Sequence, residues 1–204
     1  MMKTKKIKSV DNSGTRVLKS GLIKREHVNV CVFCGGNMGE DSKIRAEAEK
    51  FAQLVASRGF GLVYGGASVG VMGYLADTVL GSGGKVHGVI PQSLVDKEVA
   101  HRGLTELRVV STMHERKKIM FDLSDAFVTF PGGFGTLDET FEIITWKQIG
   151  LHQKPLILMN INGFFDSLIA FIDKATEAGF INKAHRGLFQ TATTTEEAFA
   201  LIDK

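Results

Sequence analysis

The sequence predicts a Rossmann-like α/β fold: a doubly wound parallel sheet with helices on both faces. Two observations predict it. Short apolar runs alternate with segments of helical periodicity from residue 28 onward, and such alternation implies parallel strands joined by right-handed crossovers. Glycine-rich loops follow three of the apolar runs, after Phe33, Tyr64 and Phe130. These are strand carboxyl ends, where ligands of such sheets bind.

The elements are expected in this order. Val28 to Phe33 is a short strand. Ser42 to Arg58 carries Ile44, Ala48, Phe51, Ala52 and Val55 at helical spacing. Ser42 stands where a cap is needed, although the capping-box acid is absent at Arg45. Leu62 to Tyr64 is a second strand, and Val71 to Leu80 a helix closed by Gly81-Ser82-Gly83-Gly84. Val86 to Ile90 is a strand stopped by Pro91, and Leu107 to Val110 another. Ala126 to Phe130 is a clear strand, leading through glycines into an amphipathic segment, Phe141 to Gln148. Leu137, Phe141 and Ile144 are the expected core stripe there, with Trp146 also core by default. Pro155 to Asn160, Phe164 to Ala178, Phe189 to Ala192 and Thr195 to Asp203 complete the series as strand, helix, strand and helix.

Composition fits one such domain over residues 27–204. A chain of 204 residues, 44% hydrophobic, can bury a sizeable core. The longest charge-free stretch, Gly59 to Ala76, holds six glycines and no helical stripe, which argues against a membrane span. The basic start is not followed by an apolar block, so no signal peptide is expected. Cys31 and Cys34 fall in a strand, where an odd separation points them to opposite faces. A redox pair belongs at a helix start instead, so buried free thiols in a cytoplasmic protein are expected. The six histidines show no ligand spacing, and no metal or cofactor is expected.

Charge is uneven. Residues 1–26 hold eight basic and two acidic residues, a net of +6, so against +3 overall the remainder carries −3. That tail has few large apolar residues and reads as a disordered extension. The acidic remainder argues against a nucleic-acid-binding body.

The chemistry concentrates at Pro131-Gly132-Gly133-Phe134-Gly135-Thr136-Leu137-Asp138-Glu139. A strand, a tight glycine loop and a helix make an anion site. The first N–H groups of a helix lack internal partners, and glycines let a phosphate approach them. Thr136 adds a hydroxyl, and Glu139 is expected within the first turn, just beyond the phosphate. A plain glycine turn would read the same way in isolation. A dinucleotide site is disfavoured: the first loop reads Cys34-Gly35-Gly36-Asn37-Met38-Gly39, and the second strand ends in Tyr64-Gly65-Gly66 with no ribose-binding acid.

Met113-His114-Glu115-Arg116-Lys117-Lys118 lies just upstream of the glycine loop. Together the two motifs, Met-His-x-Arg-Lys and Pro-Gly-Gly-x-Gly-Thr-x-x-Glu, resemble the LONELY GUY (LOG) family, often labelled possible lysine decarboxylases. Phe33 to Gly36 and Gly65 to Met72 resemble that family's other glycine loops. The resemblance implies an enzyme, a phosphoribohydrolase that cleaves the N-glycosidic bond of cytokinin riboside 5′-monophosphates. AMP is commonly a substrate too, and free base and ribose 5-phosphate are the products. It implies Arg116 and Glu139 as the catalytic pair. Glu98, Lys117, Gly132, Gly133, Phe134, Gly135, Thr136, Leu137, Asp138 and Thr145 are implied to bind substrate. Gly35, Gly36, Gly65, Gly66 and Met72 are candidates for further loop contacts. The family often has Glu at the position of Asp138. A homodimer is expected, as for the family's shorter members. The competing readings are a nucleotide- or cofactor-binding carrier without turnover, and a pyridoxal-dependent lysine decarboxylase. For the last, nothing in the sequence points to a Schiff-base lysine in a pyridoxal site.

Overall fold

The computed structural model describes residues 28–95 and 100–204. The basic tail and Glu98 lie outside the described residues. One seven-stranded, all-parallel sheet runs through the rest: β1 (Asn29–Phe33), β2 (Gly61–Tyr64), β3 (Lys85–Pro91), β4 (Glu106–Val110), β5 (Ala126–Thr129), β6 (Leu156–Met159) and β7 (Gln190–Ala192). Their spatial order is β4-β3-β2-β1-β5-β6-β7. The chain therefore winds outward one way from β1 to β4. It then returns beside β1 at β5 and winds the other way. The crevice between the carboxyl ends of β1 and β5 is the topological switch point.

Side chains alternate across β1. Val30 and Val32 enter one buried cluster, Cys31 and Phe33 the other. The first cluster is covered by α1 (Ser42–Ser57), α2 (Gly70–Gly81) and α7 (Thr195–Ile202), which bring Phe51, Leu75 and Phe199 inward. Phe51 meets Phe130 edge-on at 5.3 Å and Phe199 at 5.1 Å. Truncating a ring so enclosed costs about 3–5 kcal/mol. The second cluster is covered by α4 (Met113–Leu123), α5 (Phe134–Gln148) and α6 (Asp166–Glu177), through Met120, Ile143 and Ile172. A four-residue α3 (Gln92–Val95) follows β3. Cys31 and Cys34 are buried free thiols, one on each face, and burial pushes both well above the usual thiol range.

Three expectations are corrected. Asp41, not Ser42, caps α1: its side chain accepts from the Lys43 N–H. Helix α5 begins at Phe134, ahead of the amphipathic segment from Phe141, so Glu139 sits in its second turn rather than its first. Its buried stripe is Thr136, Glu139, Thr140 and Ile143, whereas Leu137, Phe141 and Ile144 are only half-buried. Polar packing explains this: the Thr140 hydroxyl bonds the Thr136 carbonyl at 2.6 Å and meets the Thr129 hydroxyl at 2.9 Å, so a threonine seam docks α5 on β5.

Candidate active site

Helix α4 sets one wall of the site. Thr112 caps it, accepting from the Glu115 N–H at 3.1 Å, while Glu115 reaches back to the Ser111 N–H at 2.9 Å. That start fixes Arg116 four residues into the helix, facing the sheet. Its Nε donates to the Val89 carbonyl on β3 at 3.0 Å, and its Nη1 lies 2.9 Å from Glu139 Oε1. Both side chains are about nine-tenths enclosed, 8% and 10% exposed. The exposed cationic face that an Arg-Lys-Lys triplet suggests exists only at Lys118, which pairs with Asp122.

Helix α5 sets the adjoining wall. Gly133 caps it without a side-chain bond, and the first helical bond runs from the Leu137 N–H to the Gly133 carbonyl at 3.1 Å. The N–H groups of Phe134, Gly135 and Thr136 precede that bond and so have no partner within the helix. A Cβ placed on Gly133 or Gly135 would meet nothing within 4 Å, so these glycines front open space. Gly132 differs: a Cβ there would strike the Thr136 hydroxyl at 2.1 Å and the Gly35 nitrogen at 2.8 Å. The two loops at the switch point thus interlock, and the Gly35 N–H donates to the Pro131 carbonyl at 3.2 Å.

In front of these walls, at the loops that follow β1 and β5, lies an open cavity of about 390 Å³. Of the expected residues, Arg116, Glu139, Gly132, Gly133, Gly135, Thr136, Gly35, Gly36 and Met72 line it. Lys117, Phe134, Leu137, Asp138, Thr145, Gly65 and Gly66 do not. Lys117 instead bridges α4 to α5, 3.2 Å from both Asp138 and Glu142. Burial lowers its pKa, and the bonds to Asp138 and Glu142 more than offset this, leaving it raised. Phe134 is 94% exposed at the helix start. The Thr145 hydroxyl bonds the Phe141 carbonyl on the outer face of α5. Gly66 backs onto Ile90 and Leu107.

Sequence reasoning overlooked Met38, Ile44 and Phe164, which form an apolar part of the lining. Met38 lies within the first glycine loop and could have been found from it. Phe164 follows β6, and its arrival at the switch point carries no local signal. Among the described residues no cluster of three metal-binding side chains occurs, and no helix is long and apolar enough to cross a membrane.

The family model "Possible lysine decarboxylase" matches residues 72–202. A protein of Oryza sativa subsp. japonica named "Probable cytokinin riboside 5′-monophosphate phosphoribohydrolase" is 46% identical over 175 residues, covering 86% of this chain and 77% of the relative. A cytokinin riboside 5′-monophosphate phosphoribohydrolase of Arabidopsis thaliana is 42% identical over 181 residues, covering 89% of this chain and 84% of that one. The chain belongs to the LOG family. Among solved structures, the molybdenum cofactor carrier protein of Chlamydomonas reinhardtii superposes with a TM-score of 0.66 at 21% identity, covering 87% of this chain and 97% of that one. At that identity the likeness is one of fold. The same architecture thus serves a LOG chain and a cofactor carrier, and the side chains in the cavity decide between enzyme and carrier.

Proposed function

We propose that the protein hydrolyses the N-glycosidic bond of cytokinin riboside 5′-monophosphates and of AMP, releasing free base and ribose 5-phosphate. The observation that carries this reading is the enclosed Arg116–Glu139 pair, set in the same cavity as the glycine-rich start of α5. A binding module needs the anion seat. It has no need of a carboxylate placed one and a half turns farther along the helix.

The roles follow from placement. The 5′-phosphate is received by the N–H groups at the start of α5, with Gly133 and Gly135 allowing close approach and Thr136 adding its hydroxyl. Cleavage of the C1′–N bond leaves the electron pair on the base and positive charge on the ribose. Water adds to C1′, and its proton ends on the departing base. As a carboxylate, Glu139 stabilises the ribosyl cation and steers that water. Two of the Arg116 nitrogens are engaged, one by the Val89 carbonyl and one by Glu139. Its part is therefore to hold Glu139 and to oppose the negative charge growing on the base, while the phosphate is gripped by the loop. A guanidinium keeps its charge across the accessible pH range and suits that task.

Glu98 belongs in this proposal as a substrate-binding residue, and residues 27–204 as one catalytic domain. The acting species is proposed to be a homodimer; light scattering that shows a stable monomer at micromolar concentration would contradict this. Chromatography of the products formed from AMP and from isopentenyladenosine 5′-monophosphate tests the activity. Free adenine and free isopentenyladenine are expected. Tight binding of both nucleotides with no base released would favour the carrier instead.

A further inference from the structure

We propose that Gly65 is a positioning residue for Arg116, and through it for the hydrolysis; the idea rests on the functional reading above. Gly65 follows the last residue of β2 and is buried. A Cβ built on it would fall 2.1 Å from Arg116 Nη2 and 3.3 Å from Arg116 Cζ, with Met72 Sδ next at 3.4 Å. The guanidinium is thus seated on three sides. The Val89 carbonyl holds Nε, Glu139 holds Nη1, and the bare backbone of Gly65 leaves room for Nη2.

The neighbouring glycines answer to other demands. Gly66 and Gly70 have positive φ, 82° and 60°, which favours glycine whatever surrounds it. A Cβ on Gly70 would strike the Gly36 backbone at 2.3 Å, and one on Gly73 the Ser68 carbonyl at 2.2 Å. Gly65 is not among the positive-φ residues. Its backbone accepts alanine, and what resists a methyl there is the far end of a flexible side chain. Gly65→Ala should therefore leave the fold intact and push the guanidinium off its seat beside Glu139. A displacement of that size at a reacting group costs about a hundredfold in rate.

A double-mutant cycle on the full chain tests this, using Gly65→Ala, Arg116→Ala and the double variant. The readouts are kcat and KM for AMP, AMP affinity and melting temperature. The expected result is a Gly65→Ala protein that melts near the wild type and binds AMP nearly as well, with kcat lowered by about a hundredfold. Adding Gly65→Ala to Arg116→Ala should lower kcat no further. If Gly65→Ala alone does not fold, the double variant, with the obstructing side chain gone, should fold. Normal kcat in Gly65→Ala overturns the proposal. So does an equal loss in the Arg116→Ala background, or failure of both variants to fold. Normal turnover in Arg116→Ala would instead overturn the functional reading on which the proposal stands.

Discussion

Arg116 Nη1 lies 2.9 Å from Glu139 Oε1, joining α4 to α5 at the wall of the cavity. The pair joins two motifs on the helices that precede and follow β5 and pack on the same face of the sheet. Val89, on β3, fixes the arginine from a third element. Geometry of this kind is costly to assemble for structural purposes alone, since enclosed ion pairs contribute little net stability.

The open face of Gly135 makes it a probe of the phosphate seat. Gly135→Ala places a methyl where nothing lies within 4 Å, at a helical position where alanine is the better residue. Melting temperature should hold or rise. AMP affinity should fall roughly tenfold or more, the loss of one or two charge-assisted bonds. Unchanged affinity, measured by calorimetry, would place the phosphate elsewhere.

Tyr64 carries the one buried side-chain polar atom among the described residues that lacks a hydrogen-bond partner, its hydroxyl. Burial also pushes its pKa well above the usual phenol value. Tyr64→Phe removes a group whose burial without a partner costs about 1–3 kcal/mol. The denaturation midpoint should stay level or rise; a marked fall would give the hydroxyl a bonding role.

His152 makes stability depend on pH. Its Nε2 bonds the Ile143 carbonyl at 3.0 Å and its Nδ1 accepts from the Lys154 N–H at 3.1 Å, a pattern that one neutral tautomer satisfies. Burial holds its pKa below 6.5; the Ile143 carbonyl opposes this, and the charges of Lys147 and Lys154 reinforce it. The unfolded chain therefore takes the proton first. Stability is intact above about 6.5 and is lost as pH falls from there through the lower folded value. Urea unfolding at pH 7.5 and 5.5 should show a smaller loss in His152→Gln than in the wild type. Equal losses would contradict this assignment.

The sheet was legible because most of its strands are short apolar runs, the edge strands β4 (Glu-Leu-Arg-Val-Val) and β7 (Gln-Thr-Ala) being the exceptions, and most helices keep an apolar stripe. The elements that resisted belong to the site. The start of α5 was placed too late because its buried face there is Thr136, Glu139 and Thr140 rather than leucines. Helix α4 was not delimited at all, for its buried residues are Arg116 and Met120. Functional side chains break the periodicity that locates a helix. The glycine loop and the Arg116–Glu139 pair could be read from motifs. The wall formed by Met38, Ile44 and Phe164 could not, since it arises from the meeting of β1, α1 and the segment after β6.

The central claim is that Glu139 carries the chemistry, and Glu139→Gln tests it most directly. Glutamine keeps the size and an acceptor for Arg116 but removes the charge that stabilises the ribosyl cation. Turnover of AMP should fall by roughly a hundredfold or more, on the order of 3 kcal/mol of transition-state stabilisation. AMP affinity should change much less, because the loop at Gly132–Thr136 holds the phosphate, and the melting temperature should survive. Near-normal turnover in a folded Glu139→Gln protein would contradict the account and leave a nucleotide-binding module as the better reading.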